Sequence, residues 1–213
     1  MRRKPSKYPI KSSASKLSEK TQGRWPPKRC DMPDLSQLSE KIVLNMMLNR
    51  AFLGRGPRDL KASALVANFV RLVEKTLIEY KNIHASLLEY VNSPKTHISP
   101  YIHAVNHMET CLISLNRCKN YIQRIKGIKA IHQIPRDIKV LLKNNEKRIR
   151  KIRRAIEHLD ADISQDLIPV DEMIAVVVKS DSVELYGIEI FFTELAEWIK
   201  ELHSLASILS DYK

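Results

Sequence analysis

Residues 147–163, KRIRKIRRAIEHLDADI, hold the densest chemistry in the chain. Six of the first eight residues are Lys or Arg, and the charge then reverses at Glu157, Asp160 and Asp162 around His158. A histidine titrates near neutrality and can move a proton in general acid–base catalysis. A guanidinium fits phosphate oxygens and stabilises negative charge that develops on them. RNA carries its own nucleophile, the 2′-OH. Its cleavage needs a base for that hydroxyl, a cation for the charged phosphorane and an acid for the leaving 5′-oxygen. Arg154 and His158, one helical turn apart, could supply two of these roles. One chain supplies only one histidine here, whereas a twofold dimer would supply two.

These residues need a helix to position them. At ~100° per residue, Ile138, Leu141, Leu142, Ile149, Ile152, Ile156, Leu159 and Ile163 fall in one apolar stripe. On that wheel Arg154 and His158 lie roughly 145–175° from the stripe centre, away from the core. Arg153 and Glu157 form a second i,i+4 pair nearer the stripe edge. One reading is a solvated charged face, with Arg153–Glu157 an ordinary surface pair. However, Lys147, Arg150, Lys151 and Arg154 stand three and four apart and repel one another. A polyanion along Lys147, Arg148, Arg150 and Lys151 would relieve that repulsion, so these four are the candidate nucleic-acid-binding residues.

The surrounding sequence reads as helical. Five glycines in 213 residues leave too few tight turns for a β-sandwich. Helices are expected over about 36–52, 58–91, 99–125, 136–164 and 193–211, with Ser36, Ser39 and Thr193 as possible N-caps. The third has Ile102, Val105, Leu112, Leu115, Ile122 and Ile125 on one side. The runs MIAVVV and SVELY, with Lys179-Ser180-Asp181 between them, predict a small hairpin before the last helix. The expected fold class is therefore all-α: an antiparallel bundle of about four to five helices with a small late β-hairpin. Residues 1–34, rich in Lys, Arg, Ser and Pro, read as a disordered basic arm, and 35–213 as the helical domain.

A formal net charge of +12 predicts attraction to RNA, DNA or an acidic partner. Cys30, Cys111 and Cys118 form no paired framework, which suits a reducing, cytoplasmic compartment; Cys111 and Cys118, seven apart, are expected as buried thiols on one helix face. No window approaches the ~20 apolar residues of a spanning helix, so no membrane partner is expected.

The stretch IRKIRRAIEHLDADI resembles the last long helix of HEPN-domain proteins, whose signature is Arg, four to six residues, then His. Here it reads from Arg153 to His158, with Arg154 where the family usually carries Asn, Asp or His. The resemblance covers about residues 36–213 and extends to the acidic residues after His158, the short hairpin and the closing helix. It implies a homodimer with two such helices facing each other, and a metal-independent endoribonuclease of toxin or defence type, or a member that only binds RNA or partners. In that reading Arg153 stabilises the phosphate, His158 shuttles protons, and Arg154 and Glu157 orient or modulate them. A protein antitoxin would be a possible partner.

No cofactor is expected. His103, His107 and Cys111 recur every four residues, but three ligands strung along one helix cannot reach one ion without strain, so no metal is assigned to them. The expectation is thus an RNA-binding HEPN-like protein with possible nuclease activity. The alternative is a non-catalytic helical module that binds nucleic acid or an acidic protein.

Overall fold

Two long helices, each with apolar residues recurring every three or four positions, form the centre of the molecule. The computed structural model describes residues 27–93, 97–128, 148–151, 154, 156–157, 176–185 and 188–211. Helix α1 spans Ile42–Leu53, α2 Leu60–Asn92 and α3 Ser99–Lys126. Strands β1 (Val177–Val178), β2 (Ser182–Leu185) and β3 (Ile188–Phe191) follow late in the chain, and α4 (Phe192–Ser210) comes after them. Residues 148–151, 154, 156 and 157 are also helical. The architecture is the expected helical bundle with a small late antiparallel element.

Helices α2 and α3 run antiparallel, since contacts that step down α2 step up α3. Tyr90 and Tyr101 rings are 5.5 Å apart, Glu79 Oε2 lies 2.7 Å from His107 Nδ1, and Thr76 Oγ1 lies 3.8 Å from Cys118 Sγ. Helix α1 lies antiparallel to α2: Val43 N–H donates to Glu74 Oε2, while Arg50 at the other end donates to Ser63 O. Helix α4 closes the bundle against α1 and α2. Its stripe of Leu195, Trp198, Ile199, Leu202, Leu205, Ala206 and Leu209 is fully buried, as the spacing predicts. In α3 the core side is Val105, Leu112, Leu115, Ile122 and Ile125, but Ile102 is 38% exposed. It follows Ile98 by one turn at the helix start, and Tyr101 takes the inward place.

The helix ends correct three expected caps. Neither Ser36 nor Ser39 caps α1, which begins at Ile42. Its second N–H instead donates to the Glu74 carboxylate, so a neighbouring helix satisfies a donor the helix cannot satisfy itself. Thr193 lies inside α4, whose N-cap position is Phe191 and has no side-chain cap. The acidic Glu194 in that first turn complements the helix dipole. Asp59 does cap α2, its Oδ1 accepting from Ala62 N–H at 2.6 Å.

The expected hairpin carries one strand more. The sheet order is β1-β2-β3, all antiparallel, with Val178 opposite Val183 and Val183 opposite Ile190. The last residues of the expected basic arm belong instead to the fold. Met32 is buried in the core, Asp31 N–H donates to Ser180 O, and Tyr80 Oη donates to Pro33 O. Residues 27–34 therefore belong to the folded unit. Met32 and Leu35 are buried in the core, and the bonds to Tyr80 and Ser180 tie this proline-containing stretch to α2 and to the turn between β1 and β2. The rest of the expected arm, residues 1–26, lies outside the described residues.

Candidate nucleic-acid interface

The basic segment sits on the bundle by two kinds of contact. The first is apolar. Ile149 is 3% exposed and Ile156 packs against the core cluster, the side of the helical wheel on which both were expected. The second is ionic. The Arg148 guanidinium donates to both carboxylate oxygens of Glu194, at 2.5 and 3.0 Å, and to Glu189 O at 2.5 Å. The same group lies over the Trp198 ring, 6.0 Å from its centroid. A planar fork that meets a carboxylate with two parallel bonds and stacks on an indole is a use that lysine cannot reproduce.

The partners of Arg148 are themselves held. Lys179, 5% exposed, forms ion pairs with Glu184 and Glu189, and Ser182 Oγ donates to Glu189 Oε1 at 2.8 Å. Burial works to lower the Lys179 pKa, but the hydrogen bonds and charges of the two glutamates outweigh it and raise the pKa. The ammonium therefore stays charged and fixes the sheet edge on which Arg148 leans. Sheet, α4 N-terminus and basic segment form one connected polar network.

With Arg148 turned inward, the other cations among the described residues of the segment are Arg150, Lys151 and Arg154, all exposed. Glu157 is also exposed. Arg148, expected among the nucleic-acid contacts, is thus engaged by the protein itself. Arg153, His158 and Lys147 lie outside the described residues. Compared with protein-family models, curated proteins and solved structures, the chain matches none.

The histidine–cysteine series on α3 does not converge. His103 is exposed, His107 pairs with Glu79, and the buried Cys111 thiol donates to Thr76 O at 3.7 Å. Among the described residues no group of three His, Cys, Asp or Glu could hold a metal ion. Cys111 and Cys118 are both buried free thiols, as their spacing predicts. Burial pushes the Cys118 thiol up to about 12 and raises Cys111 as well, which leaves neither as a thiolate at neutral pH. No helix among the described residues is long and apolar enough to cross a membrane.

Sequence reasoning alone does not find the Arg148 clamp. A signal is present nonetheless: on the helical wheel Arg148 lies only ~20° beyond the edge of the apolar stripe, one residue before Ile149. A cation there is placed to reach along the neighbouring helix rather than out into water.

Proposed function

We propose that this protein binds RNA along the outward edge of the basic segment, through Arg150, Lys151 and Arg154. One observation carries the reading: Arg148, through Glu194, and the buried Ile149 fasten the segment to the bundle while the remaining described cations stay at the surface. Cations presented on a fixed helix neutralise phosphates with little ordering cost, and counterion release adds to affinity. The finer reading is a metal-independent endoribonuclease of HEPN type, with Arg153 on the phosphate and His158 as the proton carrier. It is supported by the spacing of those two residues and by the helical conformation of Arg154, Ile156 and Glu157 around them.

The test is RNA binding and cleavage by the purified full chain in EDTA. Wild type is compared with Arg153→Ala, His158→Ala and the double variant Lys151→Ala/Arg154→Ala. Binding that weakens with salt and weakens further in the double variant supports the interface. Cleavage that both single variants lose while still binding RNA supports the nuclease. Binding without cleavage leaves an RNA-binding module. A protein that ignores RNA at low salt sinks the proposal and leaves an acidic protein as the partner to seek.

A further inference from the structure

We infer that the outer face of the α2–α3 hairpin is a second RNA-binding surface, which holds a single strand by its phosphates and stacks a base on Tyr121. Charge is sorted along this hairpin. The half made of residues 61–78 on α2 and 113–126 on α3 has seven Lys or Arg and one acidic residue, Glu74. The other half, residues 79–92 and 99–112, has one Lys and three Glu. A face that only keeps a protein soluble interleaves the two signs. Glu74 does not offset the excess, because its carboxylate accepts from Val43 N–H on the α1 side of α2.

The helical wheel puts the cations on one side of the hairpin, the side marked by the Glu79–His107 pair. At ~100° per residue, Lys61 and Lys75 lie within ~40° of Glu79 on α2, and Tyr121 within ~40° of His107 on α3. Arg71, Arg117 and Arg124 lie ~80–100° from the same landmarks, turned further from the seam between the helices. Lys75 and Arg117 are level across that seam: the hydroxyl of the adjoining Thr76 lies 3.8 Å from the thiol of the adjoining Cys118. Lys61, Arg71, Lys75, Arg117 and Arg124 are all exposed. Among the described residues, none of the first four has a side-chain hydrogen bond or ion pair. Arg71 and Lys75, four apart on one helix, repel each other, and an anion laid over them relieves that repulsion.

Tyr121 selects the anion. It stands one turn after Arg117 and one turn before Arg124, whose guanidinium lies 5.9 Å from the ring centroid. The ring is half-buried against the core cluster, which holds it in place between the two arginines. Cations that track a backbone, with an aromatic ring between them, suit a single strand, since every base has a face that can stack. An acidic peptide or a duplex would use the cations and leave the ring idle.

This surface is separate from the basic segment. The sheet on which Arg148 leans meets α3 at Tyr101, whose Oη accepts from Val178 N–H at 3.2 Å. Tyr101 and Tyr121 are ~30 Å apart along α3 at ~1.5 Å per residue. The inference rests on the RNA-binding reading above and adds a second contact to it. A strand long enough to reach both surfaces gains affinity by engaging two sites at once.

Fluorescence anisotropy of a labelled 2′-O-methyl oligouridylate, which cannot be cut through its 2′-hydroxyl, tests the inference on the full chain over a salt series. The double variant Lys75→Ala/Arg117→Ala is expected to make the plot of log affinity against log salt shallower by about 1.4, at ~0.7 per cation. Tyr121→Ala is expected to weaken binding about tenfold with the slope preserved, and Tyr121→Phe to bind as wild type does. Far-UV circular dichroism checks that the helices persist. Should Tyr121→Ala fail to fold, the double variant at exposed positions decides the matter. The inference is overturned by a double variant with an unchanged slope, or by a folded Tyr121→Ala that binds as tightly as wild type. It is also overturned, together with the RNA-binding reading, by a chain that binds polyglutamate or phosphatidylglycerol vesicles but no oligouridylate at low salt. Lys151→Ala/Arg154→Ala separates the two proposals. Weaker binding there, with none in the hairpin variants, leaves the basic segment as the interface and overturns the inference; the reverse supports the hairpin surface and removes the segment.

Discussion

Arg148→Ala removes three hydrogen bonds at once: two to the Glu194 carboxylate at 2.5 and 3.0 Å, and one to Glu189 O at 2.5 Å. Hydrogen bonds to charged groups contribute about 1.5–3 kcal/mol when shielded from water, and exposed ion pairs about 0.2–1 kcal/mol. The Arg148 side chain is 37% exposed and that of Glu194 26%, so the pair falls between these limits. Its expected coupling energy is about 1–2 kcal/mol, measured by a double-mutant cycle with Glu194→Gln. Urea unfolding followed by far-UV circular dichroism reads it as a shift in midpoint. RNA binding gives an independent readout. For a single strand, removing one cation that neutralises a phosphate makes the plot of log affinity against log salt shallower by ~0.7. Lys151→Ala and Arg154→Ala are each expected to show that change. Arg148→Ala is expected to weaken binding only by loosening the segment, with the slope preserved. A coupling energy below ~0.3 kcal/mol, or a slope change on Arg148→Ala equal to that of the surface cations, would refute the assignment of Arg148 to the fold.

Three further outcomes follow from burial. Burial holds the Glu109 carboxyl above its ordinary value of 4.5, so the folded state binds this proton more tightly than the unfolded chain. Its contribution to stability is therefore lost as pH rises through the range just above 4.5, and Glu109→Gln should flatten the pH dependence there; an unchanged profile would remove the cause. At neutral pH a thiol reagent should modify half-buried Cys30 slowly, while Cys111 and Cys118 react only as fast as the protein unfolds. Three equally fast thiols would contradict the packing of α2 on α3. Asn116 is 2% exposed and its Nδ2 has no hydrogen-bond partner among the described residues, so Asn116→Leu should raise stability by about 1 kcal/mol in urea; a lowered midpoint would point to a partner for the amide.

How much of the fold and the site is legible in the sequence depends on periodicity. α2, α3 and α4 repeat their apolar residues over several turns, and their expected ends fall within two residues of those observed. Where the signal is one residue deep, it fails. Ser36, Ser39 and Thr193 have the chemistry of N-caps, but the tertiary contact Glu74–Val43 and the entry from β3 set those helix starts. Strand β3, Ile-Glu-Ile-Phe, runs over only four residues, too short to separate from the helix that follows. The inward turn of Arg148 depends on Glu194, 46 residues later, which no local pattern encodes.

The place of α4 in the chain also sets the order in which the molecule can be made. α2 and α3 are adjacent in sequence and can pair as soon as they leave the ribosome. The faces of α1 and α2 that α4 covers must wait until Ser210 is synthesised. At ~5–20 residues per second, the interval from Lys126 to Ser210 lasts roughly 4–17 s. For those seconds a nascent chain displays an open hydrophobic groove awaiting Trp198, Ile199, Leu202 and Leu205. Every ribosome translating this message therefore carries a client for chaperones that shield emerging apolar surface, and any premature stop before α4 yields a chain that cannot close its own core.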